Sequence, residues 1–92
     1  MGHSQLMEEM LNDALAYFNI AVNEMKRQQF SRAVDSFRKT RNALIEVRYW
    51  AKEIEDKNLI MATEQKLREL ELNKEFCQKR CMSVGIDGEI GL

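Results

Sequence analysis

No proline occurs anywhere in the 92 residues, which removes the residue that most often kinks or stops a helix. Glycine is scarce too. After Gly2 none appears until Gly85, so any reversal of the chain in between is made by residues that carry side chains. The one histidine, His3, stands in Met1-Gly2-His3-Ser4, and residues 1–5 read as a flexible N-terminus or expression remnant with no chemical role. No glycine-rich phosphate loop and no nucleophile elbow is present. Carboxylate neighbours such as Asp35 and Glu46, or Glu53 and Asp56, are what chance gives a chain with 15 acidic residues. The expectation is a protein that is no enzyme, with no catalytic residues, no metal site and no cofactor.

Charge of one sign is lacking as well. With 14 basic and 15 acidic residues the net charge is -1, which leaves no global field to recruit nucleic acid or an anionic membrane. Arg38, Lys39, Arg41 and Arg48 come closest to a basic strip, but Asp35, Glu46 and Glu53 interleave with them. No apolar run approaches the length of a membrane span, and the opening residues lack a signal peptide's apolar stretch. An intracellular, cytoplasmic chain without membrane insertion is the reading. Cys77 and Cys81 are four apart, on one face of a helix. They make half a metal site at most, since no second cysteine pair or nearby histidine completes it. A disulfide, whose Cβ atoms approach to about 3.8 Å, is poorly served by that spacing on a regular helix. Packed, reduced thiols in a reducing compartment are expected; metal bridging between chains or redox chemistry is the alternative.

What the chain has in quantity is helix formers. It is 45% apolar and 32% charged, rich in Glu, Lys, Arg, Leu, Ala and Met, which predicts an all-α protein of one small domain. A first helix over 5–27 carries Met7, Leu11, Ala14, Phe18, Ala21 and Met25 in steps of three and four, flanked by Met10, Leu15 and Val22. A second over 30–55 continues with Phe30, Ala33, Phe37, Thr40, Leu44, Val47, Ala51 and Ile54. The hinge between them falls at Gln28-Gln29. At Glu55-Asp56-Lys57-Asn58 the periodicity stops, and Asp56 or Asn58 is placed to cap the next helix. That third helix, over 59–81, bears Ile60, Leu67, Leu70, Cys77 and Cys81, with Thr63 and Lys74 interrupting its seam. Gly85, Gly88 and Gly91 then end it, leaving 83–92 as a tail or linker. Residues 6–82 thus read as an antiparallel three-helix bundle.

Tyr17, Ile20 and Ala21, followed by Phe30, Ala33 and Phe37, form a pattern that resembles the tetratricopeptide repeat over residues 17–44. Its logic is steric: small Ala21 and Ala33 let two helices cross closely, and Phe30 and Phe37 fill the space beside the crossing. The departures are Glu24 in place of an aromatic, Gln28-Gln29 in place of a glycine turn, Thr40 in place of alanine, and no closing proline. The same stretch is similar to the microtubule-interacting-and-trafficking (MIT) domain, a three-helix bundle whose second helix is longer. Here the Asp expected near Met25 and the Arg-Ala-Glu element of the third helix are absent, with Leu67-Arg68-Glu69-Leu70-Glu71 only a loose echo.

Both resemblances imply a module that binds a peptide or helix of another protein in a groove between helices. Carried onto this sequence, they point to the edges of the second and third helices, where Ile45, Tyr49, Trp50, Leu72 and Phe76 are apolar residues off the main seams. Arg41 and Arg48, with Arg38 and Lys52, add a basic rim suited to an acidic partner. The competing reading of Trp50 and Phe76 is that they complete the core against each other. A homodimer, a structural helical segment burying these residues between chains, is the alternative function.

Overall fold

The structure, a computed structural model, describes the backbone of residues 2–91 and the side chains of residues 5–81. Three helices follow one another: α1 (Gly2–Lys26), α2 (Phe30–Glu53) and α3 (Lys57–Gly91). They form an all-α antiparallel bundle in which α2 packs along both α1 and α3, and no strand occurs among the described residues. The molecule measures 57 × 16 × 15 Å. α3 sets the long dimension, since its 35 residues at about 1.5 Å each give roughly 52 Å.

Both reversals are the same device. At the first, Gln28 takes a left-handed conformation, φ 62°. The Gln29 N–H donates to the Glu24 carbonyl at 2.8 Å and the Gln28 N–H to that of Met25 at 3.0 Å. At the second, Glu55 has φ 56°, the Asp56 N–H donates to the Ala51 carbonyl at 3.0 Å, and the Glu55 N–H to that of Lys52 at 3.2 Å. These are Schellman motifs, in which the orphan carbonyls of a helix end are satisfied by one left-handed residue, a place glycine usually fills. The chain doubles back at the paired glutamines as expected. The starts of α2 and α3 differ, because Gln29 offers no side-chain cap whereas the Asp56 carboxylate accepts from the Leu59 N–H at 3.1 Å.

The core follows the seams. Ala14 and Ala21 of α1, Ala33, Phe37, Leu44, Val47 and Ala51 of α2, and Leu70 and Cys77 of α3 are fully buried. Phe18 meets Phe37 edge to face, ring centres 5.8 Å apart. Both alanines of the expected crossing are in this cluster.

Two expectations about α3 change. Thr63 and Lys74 do not interrupt its seam; they belong to it. Thr63 is fully buried, its hydroxyl donating to the carbonyls of Leu59 and Ile60 at 3.0 and 2.8 Å, so burial leaves no orphan donor. The Lys74 side chain is only 15% exposed, its stem covering apolar surface while Nζ reaches Glu71 at 3.9 Å. Ile60, Thr63, Leu67, Leu70, Lys74, Cys77 and Cys81 therefore make one unbroken three-four stripe. Secondly, the helical backbone runs past 81 through Gly85 and Gly88 to Gly91. Glycine costs a helix interior about 1 kcal/mol without forbidding it, and none here takes the positive φ that would stop the helix.

Candidate functional site

The residues expected to bind a partner divide among three places. On the α2–α3 face, Arg48 of α2 faces Glu64, Leu67, Arg68, Glu71, Leu72 and Glu75 of α3 across an open groove. Arg41 borders the same seam and approaches Glu71 at 3.4 Å, so one carboxylate lies between Arg41 and Lys74. Arg38 pairs within its own helix with Asp35 at 3.7 Å. One cation of the basic rim, Arg41, is thus answered by an acid of α3, a feature invisible while the helices are read singly. Ile45 of this group is half-buried.

Trp50 lies on the other flank of α2. It lines a small apolar cleft with Ile54 and with Leu6, Met7 and Met10 of α1. Tyr49 stacks edge-on against it, ring centres 5.3 Å apart. Phe76 is elsewhere again, meeting Phe30 at 6.1 Å beside the first turn, with the Arg80 guanidinium 5.0 Å from its ring centre. Trp50 and Phe76 therefore do not complete the core against each other. Antiparallel packing places the end of α2 beside the start of α1, and the late part of α3 beside the start of α2.

Of the motif residues, Ala21, Ala33 and Phe37 are buried and Phe30 is half-buried against the core, whereas Tyr17 and Ile20 are exposed. Glu24, the departure from the repeat pattern, is engaged: the Ser36 hydroxyl of α2 donates to its carboxylate across the hairpin. Lys66 of α3 was not singled out by the sequence either. Its ammonium stands 4.6 Å from the Phe18 ring centre of α1 and 3.1 Å from Glu69, which links the two outer helices. The signal was the cation's place on the edge of the α3 stripe, one residue before Leu67.

Cys77 and Cys81 are free thiols, the first buried and the second half-buried. Burial, and then the neighbouring Cys81, push the Cys77 thiol above its ordinary pKa. That opposes the thiolate needed for nucleophilic chemistry or metal ligation. Among the described residues no group of three or more His, Cys, Asp or Glu side chains is arranged to hold a metal ion. No helix there is long and apolar enough to cross a membrane.

No family model matches this chain, and no curated protein or solved structure matches it either. None of the three comparisons therefore supports membership of the tetratricopeptide or MIT families.

Proposed function

We propose that this is a non-enzymatic interaction module, tetratricopeptide-like or MIT-like in its hairpin, that takes a peptide or helix of another protein in a groove beside α2. One observation carries the reading. Phe37, Leu44 and Leu70 close a core at 0% exposure, yet Trp50, Tyr49, Leu72 and Phe76 stay 45, 57, 69 and 45% exposed. Large apolar side chains left over after the core is filled, with Trp50 and Leu72 lining clefts, favour a protein partner. On the α2–α3 face the pairing of Arg41 with Glu71, and the carboxylates of Glu64 and Glu75 that line the groove with Arg48, suit a partner helix of mixed charge, with an apolar side chain against Leu72. The two free cysteines suit a reducing, intracellular compartment.

The test is photo-crosslinking in cells, with p-benzoylphenylalanine placed at Leu72, at Trp50, and at exposed Asn42 as control. Adducts with another protein at Leu72 or Trp50 and none at Asn42 support the module. Adducts only at twice the chain's mass, with light scattering giving a concentration-independent dimer, replace it with the homodimeric structural segment.

A further inference from the structure

The cleft of Trp50 differs from the α2–α3 groove in its electrostatics. Its floor is apolar, made by Leu6, Met10, Trp50 and Ile54, and its volume is about 130 Å³. A cavity of about that size accepts one benzene-sized group, hence one apolar side chain. The charged residues one turn from its lining on the same helical strips are of one sign, although Arg48 and Lys52 stand two residues either side of Trp50 on other faces of α2. Glu46 and Glu53 stand four before and three after Trp50, so helical spacing puts both on the strip of α2 that carries it. Glu9 and Asp13 stand three beyond Leu6 and Met10 on α1. All four are exposed, and none forms an ion pair among the described residues. On α1 no lysine or arginine precedes Lys26, and along the Trp50 strip of α2 the nearest cation is Lys39, about three turns away.

We infer that the Trp50 cleft docks a cationic amphipathic helix of a partner protein, one apolar side chain entering between Trp50 and Met10 while lysines or arginines reach the flanking carboxylates. An acidic helix would meet four uncompensated carboxylates there, and a neutral one would leave them unanswered. This deepens the module reading, on which it rests for its class of partner. It assigns the opposite flank of α2 from the one the basic residues suggest.

Trp50 is the single tryptophan of the chain, so its emission reports this cleft alone. The experiment titrates the full chain with a fluorescein-labelled amphipathic helix of leucine and lysine, and with its leucine–glutamate counterpart. Label anisotropy and Trp50 emission are read together. The expected result is binding of the lysine helix only, with a blue shift of Trp50 that saturates along the anisotropy curve. Raising salt from about 0.05 to about 0.5 M weakens it about tenfold. Glu46→Lys with Glu53→Lys weakens it about tenfold or more, whereas the same charge change across the other groove, Glu64→Lys with Glu75→Lys, costs less than about threefold. These residues are at least partly exposed, and unchanged circular-dichroism melts check that each variant folds. Equal losses in the two double variants, or no binding of the lysine helix, overturn the proposal. So does a Trp50 shift that grows with protein concentration alone as the mass doubles, which gives the cleft to a second copy. Anisotropy that rises while Trp50 stays unmoved overturns this site but leaves the module standing. The module itself falls only with the crosslinks at both Leu72 and Trp50.

Discussion

Along one flank of its buried stripe α2 meets alanine and phenylalanine; along the other it meets threonine, lysine and cysteine. Ala14, Phe18 and Ala21 close the α1 side, where a side-chain hydrogen bond between helices, Ser36 to Glu24, lies at the margin. Thr63, Lys74 and Cys77 share the α3 side with Leu70, and the Arg41–Glu71 ion pair spans it. The same apolar face of α2 thus accepts two kinds of partner helix. What the second kind needs is that each polar head be answered locally, by a carbonyl one turn back for Thr63 and by Glu71 for Lys74. The difference teaches that the α1–α2 hairpin is specified by shape, and the docking of α3 by shape together with a few satisfied polar groups.

The sharpest way to break the hairpin is charge at its crossing. Ala33→Glu is expected to cost several kcal/mol and to abolish the cooperative thermal transition, because Ala33 has no solvent-exposed surface to lend a carboxylate. A wild-type melt would show that the crossing lies elsewhere. On the α3 side, Leu70→Ala is expected to cost about 2–5 kcal/mol through the cavity it leaves. Trp50→Ala, at a half-open cleft, is expected to cost less than about 1 kcal/mol. Denaturant midpoints for the pair separate core from surface, and equal losses would mean that Trp50 is structural. The turns are expected to respond in the other direction. Gln28→Gly and Glu55→Gly each relieve a side chain held at positive φ. Each should stabilise by about 0.5–1 kcal/mol, after the larger chain entropy of glycine is set against the relief.

How far these features could be read in advance depended on what kind of information each needed. The registers of α1 and α2 were legible because nearly every buried position is apolar and steps by three or four, a pattern one helix carries by itself. The hinge at Gln28-Gln29 was legible from the break between two seams rather than from turn residues. Thr63 and Lys74 were misread because hydropathy scores the polar head, whereas a seam is filled by volume and by aliphatic stem. The partners of Trp50 and Phe76 were not legible at all. They depend on the axial stagger between helices, and an unbroken seam fits a neighbour nearly as well one turn along. The answering of Arg41 by Glu71 has the same origin, and it is why a basic rim expected to be free is partly spent.

A smaller effect tests the polar side of the α3 seam. Glu71→Gln removes the carboxylate between Arg41 and Lys74, which are respectively half-exposed and mostly covered. Exposed pairs of this kind contribute about 0.2–1 kcal/mol. The loss should therefore be near about 0.5 kcal/mol at low salt and fade in about 0.5 M salt, as screening removes what the pair supplied. A loss of several kcal/mol that ignores salt would mean that Lys74 is a buried charge dependent on Glu71.

The last difference vanishes at neutral pH and grows in alkali. Burial, with Cys81 adding to it, raises the Cys77 thiol, so the folded chain holds that proton more tightly than the unfolded chain does. Below the ordinary thiol pKa of about 8.5 both states are protonated and this group gives stability no slope. Above it the unfolded chain loses the proton first, so stability falls as pH rises until the folded thiol ionises too. Cys77→Val removes the titrating group while keeping an apolar side chain of similar size. The check is the difference between wild-type and variant denaturant midpoints, which should be flat to about pH 8 and widen in the variant's favour above it. Thiol labelling at neutral pH gives an independent reading of the same contrast, with half-buried Cys81 reacting first and Cys77 only at the rate of opening. If Cys77 labels as fast as Cys81, the late part of α3 is not held against α2, and the polar side of the comparison ends at Leu70.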